Sequence, residues 1–328
     1  MYKRICLLVL IIFIGSFFYN INKFDGFVKA NVNLKELRIS DKQKEYIREV
    51  YQEKIEIPNL TKSYRFLYLS DTHVIIKSRD EIGCFGNTDA RMEGFKNSIG
   101  KSSYEQFPYW IQYANNNVDA MLMGGDIIDY FSDKNVNYIK DNLKKLKIPY
   151  LYTMGNHDSY VPWDDIGFIG DDKNLLGLFY KNNTEVQVQD YGDFNVVSVN
   201  DYAEAGLAKI SKKALEEFKK VYKTDKPMIL IVHVPLCTEN TDVLKEQTVK
   251  TWGSPLLLGE NCGYDLDEAT KEFLDMVVSD NSPVVAVLSG HLHFYHKDML
   301  NDKIVQIVSD YSAHGYGTVI TVSGNNIK

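Results

Sequence analysis

The sequence predicts an α/β protein, with mixed β-sheets flanked by helices and a ligand site at the carboxyl ends of the strands. Three observations point there. Short apolar runs alternate with amphipathic stretches from about residue 64 to residue 322. Five of the apolar runs end at a loop carrying Asp, Asn or His. Those loops, scattered through roughly 220 residues, would meet on one rim, because the crevice of an open α/β sheet lies beyond its strand ends.

In chain order, Lys3 and Arg4 precede an apolar run from Ile5 to Ile14 that continues to Phe17, Phe18 and Tyr19. A basic flank before a membrane-seeking stretch reads as a signal peptide or signal anchor over residues 1–19. A buried core helix is the alternative, and it leaves the basic flank and terminal position unexplained. The run is shorter than the roughly 20 residues that span a bilayer comfortably, so a cleaved leader fits as well as an anchor. The nearest small-residue cleavage pattern, Val28-Lys29-Ala30, comes late. Either reading gives the N-terminus a membrane partner and an extracytoplasmic body, anchored or secreted. Residues 20–39 read as a polar tether. Ser40 and Gln43 form a capping box expected to open a helix through about Lys54, with Tyr46, Ile47, Val50 and Tyr51 on one face. The division expected is therefore leader 1–19, tether and juxtamembrane helix 20–60, and one domain over 61–328.

Within that domain, strands are expected at Tyr64–Leu69, Ala120–Met123, Tyr150–Met154, Met228–Val232 and Val284–Leu288, each feeding one of the five loops. Helices are expected over Tyr104–Asn115, with Pro108 near the first turn, over Asn135–Leu146, after the cap Ser211, and over Asp267–Val278. Glu185–Gln189 and Asn195–Val199 read as an antiparallel pair across Tyr191-Gly192-Asp193. Lys303–Val308 and Thr318–Val322 read as closing strands.

Composition narrows the function classes. The 328 residues, 45% hydrophobic and 25% charged, can bury a full core. A formal charge of −7 leaves no basic stripe, so no stable nucleic-acid partner is expected. Cys84, Cys237 and Cys262 show no C-x-x-C spacing, so neither a zinc knuckle nor a redox pair is implied. A Cys237–Cys262 disulfide and free thiols both remain open. Asn182-Asn183-Thr184 matches a glycosylation acceptor, a pattern too common to count. His296 and His314 read as loop or capping residues, and Tyr130 and Trp163 as packing.

The five loops carry Asp71-Thr72-His73, Gly125-Asp126-Ile127-Ile128-Asp129, Gly155-Asn156-His157-Asp158, His233 and Gly290-His291-Leu292-His293. Their candidate ligands offer oxygen and imidazole nitrogen without thiolates, which suits borderline or hard divalent metals. Each motif alone is weak, but five in order, each after an expected strand, is a specific signal. The set resembles the calcineurin-like metallophosphoesterase superfamily over roughly residues 64 to 322. That resemblance implies a layered α/β/β/α fold and two divalent metal ions, with Mn²⁺, Fe²⁺ and Zn²⁺ all compatible with N/O ligands. It implies one metal on Asp71, His73, Asp126 and His293. The other would sit on Asp126, Asn156, His233 and His291, with Asp126 bridging. His157 would not ligate. It is expected to face the substrate as general acid for the leaving oxygen or as a stabiliser of charge on the phosphoryl oxygens, with Asp158 orienting it and Asp129 steadying the metal ligands.

The implied chemistry is hydrolysis of a phosphate mono- or diester by a two-metal-activated hydroxide, without a covalent enzyme intermediate. Departures from the family's subgroups narrow it further. Asp129 stands where purple acid phosphatases carry a tyrosine ligand, and the motifs lack the glutamate and Arg-Gly of Ser/Thr protein phosphatases. Only 35 residues follow His293, so a stand-alone catalytic domain is expected. Segments 74–103 and 234–265 are long and leave the ligand rim, which makes them the expected walls of the substrate site. A hydrolase of nucleotide- or lipid-linked pyrophosphates in the cell envelope is an alternative reading. A non-catalytic metal-binding surface protein is another, and the intact ligand set argues against it.

Overall fold

The computed structural model describes residues 39–76, 88–158, 160–161, 167–168, 185–202, 208–260 and 266–324. The leader, Cys84, Trp163, the Asn182-Asn183-Thr184 pattern and Cys262 lie outside the described residues. Among the described residues no helix is long and apolar enough to cross a membrane.

One sheet contains β1 (Glu49–Glu56), β2 (Tyr64–Leu69), β3 (Ala120–Met123), β4 (Tyr150–Tyr152) and β13 (Tyr316–Ser323), in the order β1-β13-β2-β3-β4. The second contains β7 (Val186–Asp190), β8 (Asn195–Val199), β9 (Met228–Ile231), β10 (Val284–Ser289), β11 (His296–Met299) and β12 (Val305–Val308), in the order β11-β12-β10-β9-β8-β7. A small antiparallel pair joins β5 (Tyr160–Val161) to β6 (Gly167–Phe168). The helices are α1 (Thr88–Gly94), α2 (Ser103–Asn117), α3 (Asp133–Leu143), α4 (Lys212–Tyr222), α5 (Asp242–Trp252) and α6 (Glu268–Val278).

Strand alternation builds the four layers. In β2, Phe66 and Tyr68 point into a core between the sheets, while Leu67 and Leu69 point the other way, onto α2 and α3. In β9, Ile229 and Ile231 enter the same central core, and Met228 and Leu230 meet α4 and α6. Both faces of these strands are buried, which is why they read as unbroken apolar runs. Ser211 and Asp267 cap α4 and α6 by accepting from Ala214 N and Thr270 N, as their sequence positions suggest. The layering is that of the metallophosphoesterase fold.

Parallel pairing aims the loops. Strands β2, β3 and β4 run parallel, as do β8, β9, β10 and β12. The first set delivers Asp71, Asp126 and Asn156 to one end of the sandwich, and the second delivers His233 and His291.

The helix expected from Ser40 to Lys54 is not formed. Its capping box exists, with Ser40 N donating to Gln43 Oε1 at 2.9 Å, but it closes a single 3₁₀ turn over Gln43–Glu45. Residues 49–56 instead pair in parallel with β13, from Glu49–Tyr316 to Glu56–Ser323. The sheet therefore takes in residues that sequence division had placed before the domain. Helices α1 and α5 and strands β5, β6 and β11 are not among the elements that the sequence predicts.

Candidate metal centre

The ligand loops adopt conformations that non-glycine residues avoid. Asp71 (φ 56°), His73 (φ 39°), Asp126 (φ 51°), His291 (φ 68°) and His293 (φ 59°) are all left-handed. Only Asn59 and Leu256 share that region among the described non-glycine residues. Each such residue costs on the order of 1 kcal/mol, so surrounding bonds must impose the shape. Asp71 N donates to Gly125 O, His73 N to Asp126 O, and Gly290 N to His233 O, at 2.9–3.0 Å. His291 N donates to Asp71 Oδ2 at 3.0 Å. Close loop contact also explains the motif glycines. A Cβ on Gly125 would stand 2.6 Å from both Gly155 N and His233 Nδ1, and one on Gly155 would stand 2.5 Å from Asp126 N.

The structure brings the predicted ligands together. Asp71, His73 and His293 form one group of donors, and Asp126, His233 and His291 another, each with ligand atoms within 4.8 Å of one another. His293 Nε2 lies 3.3 Å from Asp71 Oδ1, and His73 Nε2 lies 3.7 Å from Asp126 Oδ2. In the second group His233 Nε2 lies 3.4 Å from Asp126 Oδ2 and 3.3 Å from Asn156 Oδ1. Asp126 therefore faces ligands of both groups. His73, Asp126 and His157 make a third group of the same kind.

The centre is buried and rich in anions. Burial opposes ionisation of Asp71, yet His293 and His233 hold it down at about 2. Burial works against Asp126 too, and His233 and His157 keep it well below the usual carboxylate range. For His73, burial is the main cause of a pKa near 4, and for His291 burial and then His233 bring it to about 3. For His233 the neighbouring Asp126 overcomes burial and lifts it to about 10. A divalent cation in the same place would meet the demand for positive charge that His233 meets here.

Donor directions fit cations. His233 Nδ1 lies 2.7 Å from Gly124 O, an acceptor only, so Nδ1 carries the proton and Nε2 faces Asp126 and Asn156. His73 Nδ1 lies 3.0 Å from Asp129 Oδ1, which likewise turns Nε2 toward Asp71 and Asp126. The two groups would thus hold one cation each, through carboxylate oxygens and imidazole nitrogens, those of His73, His233 and His293 being Nε2 atoms already aimed inward.

Around them, Asp129 contacts His157 as well as His73. His157 Nδ1 lies 2.8 Å from Asp129 O and 3.4 Å from Asp129 Oδ1. Asp158, expected to orient His157, binds the loop backbone. Its Oδ1 accepts from Ile127 N and Ile128 N, and its Oδ2 from Gly155 N, at 2.8–3.1 Å. These bonds join the loop that carries His157 to the one that carries Asp126.

Residues outside the five motifs complete the centre. Arg91 of α1 binds Asp129 through Nε and Nη2. Asp201, after β8, accepts from His233 N and Val234 N at 3.1 and 2.7 Å. Tyr311, after β12, stacks on His293 with ring centres 4.2 Å apart. Trp252, at the end of α5, donates from Nε1 to Leu292 O at 2.9 Å and meets His293 edge-on. Arg91 and Trp252 belong to the two long segments expected to wall the site. Asp201 and Tyr311 follow strands that end at the same rim, a signal available in the sequence. Nothing local marked Arg91. Among the described residues Cys237 is a free thiol.

No curated protein sequence matches the chain. Solved structures similar to it include a dimetal phosphatase from Danio rerio, at 12% identity and a TM-score of 0.48, with 75% of this chain and 87% of that one covered. A purple acid phosphatase from yellow lupin is 14% identical with a TM-score of 0.46, covering 80% of this chain and 46% of that one. The model of the calcineurin-like phosphoesterase family matches residues 64–295, and the chain belongs to this family of hydrolases acting on phosphate esters.

Proposed function

We propose that the chain hydrolyses a phosphate mono- or diester at this centre, with His157 as general acid. The convergence of the two donor groups on Asp126 carries the reading. Asp71, His73, Asp126 and His293 would hold one divalent cation, and Asp126, Asn156, His233 and His291 the other. When bound, the two cations would neutralise phosphoryl oxygens and lower the pKa of a water held between them. Asp126 presents Oδ2 to His73 and His233, while its Oδ1 accepts from His157 N at 2.8 Å. That bond keeps His157 beside the donors. With Nδ1–H committed to Asp129 O, a protonated His157 has Nε2–H to give to the leaving oxygen. Asp129 Oδ1 lies 3.4 Å from the same Nδ1.

The test is turnover of p-nitrophenyl phosphate and bis(p-nitrophenyl) phosphate by the full chain with added Mn²⁺. His157→Ala should lower kcat about 100-fold or more while cation binding persists. Absence of turnover on every phosphate ester offered, with cations bound, would sink the reading.

We further propose that residues 1–19 export the chain, leaving it membrane-anchored or released. Lys3 and Arg4 ahead of the apolar run support this. Cell fractionation with N-terminal sequencing of the mature chain tests it, and a soluble cytoplasmic protein starting at Met1 would refute it.

A further inference from the structure

Asp129 is buried, and its carboxylate meets three side chains at once. Oδ1 lies 3.0 Å from His73 Nδ1 and 3.4 Å from His157 Nδ1. The Arg91 guanidinium closes on the same carboxylate with two nitrogens, Nε toward Oδ2 and Nη2 toward Oδ1. That forked pairing is directional, and an ammonium could not reproduce it. A second path links the same residues. The guanidinium carbon lies 5.1 Å over the Phe95 ring, and Phe95 stacks on His73 with centres 4.5 Å apart and planes within 10°. Arg91 thus grips the carboxylate shared by a proposed cation ligand and the proposed acid.

We propose that Arg91 is a positioning residue for the phosphoesterase reaction, acting through Asp129 on His73 and His157 together. The proposal rests on the reading of the centre given above. Held by Arg91, Asp129 keeps Oδ1 where His73 Nδ1–H can bind it, so His73 Nε2 stays aimed at Asp71 and Asp126. The same grip fixes the stretch whose carbonyl takes His157 Nδ1. Losing the guanidinium would leave a buried carboxylate without its fixed cation, free to turn away. Both His73 and His157 would then lose their reference point.

The experiment compares wild type, Arg91→Ala, Arg91→Lys and Asp129→Asn. Each is read by Mn²⁺ titration calorimetry and by kcat and KM for p-nitrophenyl phosphate, with melting curves to confirm folding. Arg91→Ala should weaken Mn²⁺ binding and lower kcat by about 10- to 100-fold, with KM changed less than about threefold. Added guanidinium should restore part of the loss, and Arg91→Lys should remain impaired. In the Asp129→Asn background, Arg91→Ala should add nothing further. Unchanged kcat and Mn²⁺ affinity would overturn the proposal, as would a rise in KM alone or effects that add across the two positions. If Arg91→Ala does not fold, Arg91→Lys and the double variant with Asp129→Asn carry the same comparison. Should the wild type bind Mn²⁺ but turn over no ester, the hydrolase reading fails, and the calorimetry still decides the role of Arg91.

Discussion

The Nε2 atoms of His73 and His293 face each other at 3.2 Å, across 220 residues of sequence. His73 has its Nδ1 against Asp129, so its Nε2 offers a lone pair toward the first donor group. Asp71 Oδ1 stands 3.3 Å from His293 Nε2 in the same space. Donors crowded in this way favour a shared cation over mutual contact.

Cation removal should therefore destabilise the fold as well as stop turnover. Chelation should lower Tm, and Mn²⁺ should restore it, by an amount that grows with free metal concentration. Asp126→Ala, which removes the carboxylate facing both groups, should cost more than about 100-fold in activity. It should also flatten the dependence of Tm on metal. A melting curve indifferent to chelator in the wild type would contradict the placement of cations at this centre.

Gly155→Ala tests why the motif has glycine. The new Cβ would meet Asp126 N at 2.5 Å, so one loop must move off the other. Overpacking of this kind costs about 1–3 kcal/mol. Because Asp126 is the neighbour displaced, Mn²⁺ affinity should fall with stability in urea titrations. Loss of stability with intact Mn²⁺ affinity would show that the loops move apart without disturbing Asp126.

Asp158 and His157 are adjacent, and their substitutions should separate cleanly. Asp158→Ala strands three backbone N–H groups, those of Gly155, Ile127 and Ile128, and should cost about 3 kcal/mol or more of folding stability. His157→Ala leaves these bonds in place and should change stability by less than about 1 kcal/mol while kcat falls. Denaturant midpoints measured beside kcat decide the matter. Equal destabilisation by both would assign His157 a structural role.

His314 gives the stability a dependence on pH. Burial lowers its pKa to about 4, against the bond to Gly94 O at 3.0 Å, which works to raise it. His293 and Arg48 add to the lowering, and the ring of Tyr311 lies against it. Neutral in the fold, it takes up a proton more readily in the unfolded chain. Its contribution is full above the ordinary histidine value of about 6.5 and is lost as pH falls toward 4. The slope reaches about 1.4 kcal/mol per pH unit in that window. His314→Gln should flatten the acid limb of a pH–stability curve, and an unchanged limb would refute the assignment.

The sequence by itself determined the strands and the donor side chains that meet beyond their ends. Ala120–Met123 and Tyr64–Leu69 are buried on both faces, so their apolar runs announce them, and strand ends in an α/β layer point to one rim. Asp71, His73, Asp126, Asn156, His233, His291 and His293 were legible because each directly follows such a run. Tertiary structure alone decided the fate of residues 49–56. A local capping signal favoured a helix, but pairing with residues 316–323 won, and no local window contains that partner. It alone placed Arg91 on Asp129 and gave Asp158 to the loop backbone, since side-chain partners depend on which loops meet. Local pattern sets where the donors are, and packing between distant segments sets what holds them there.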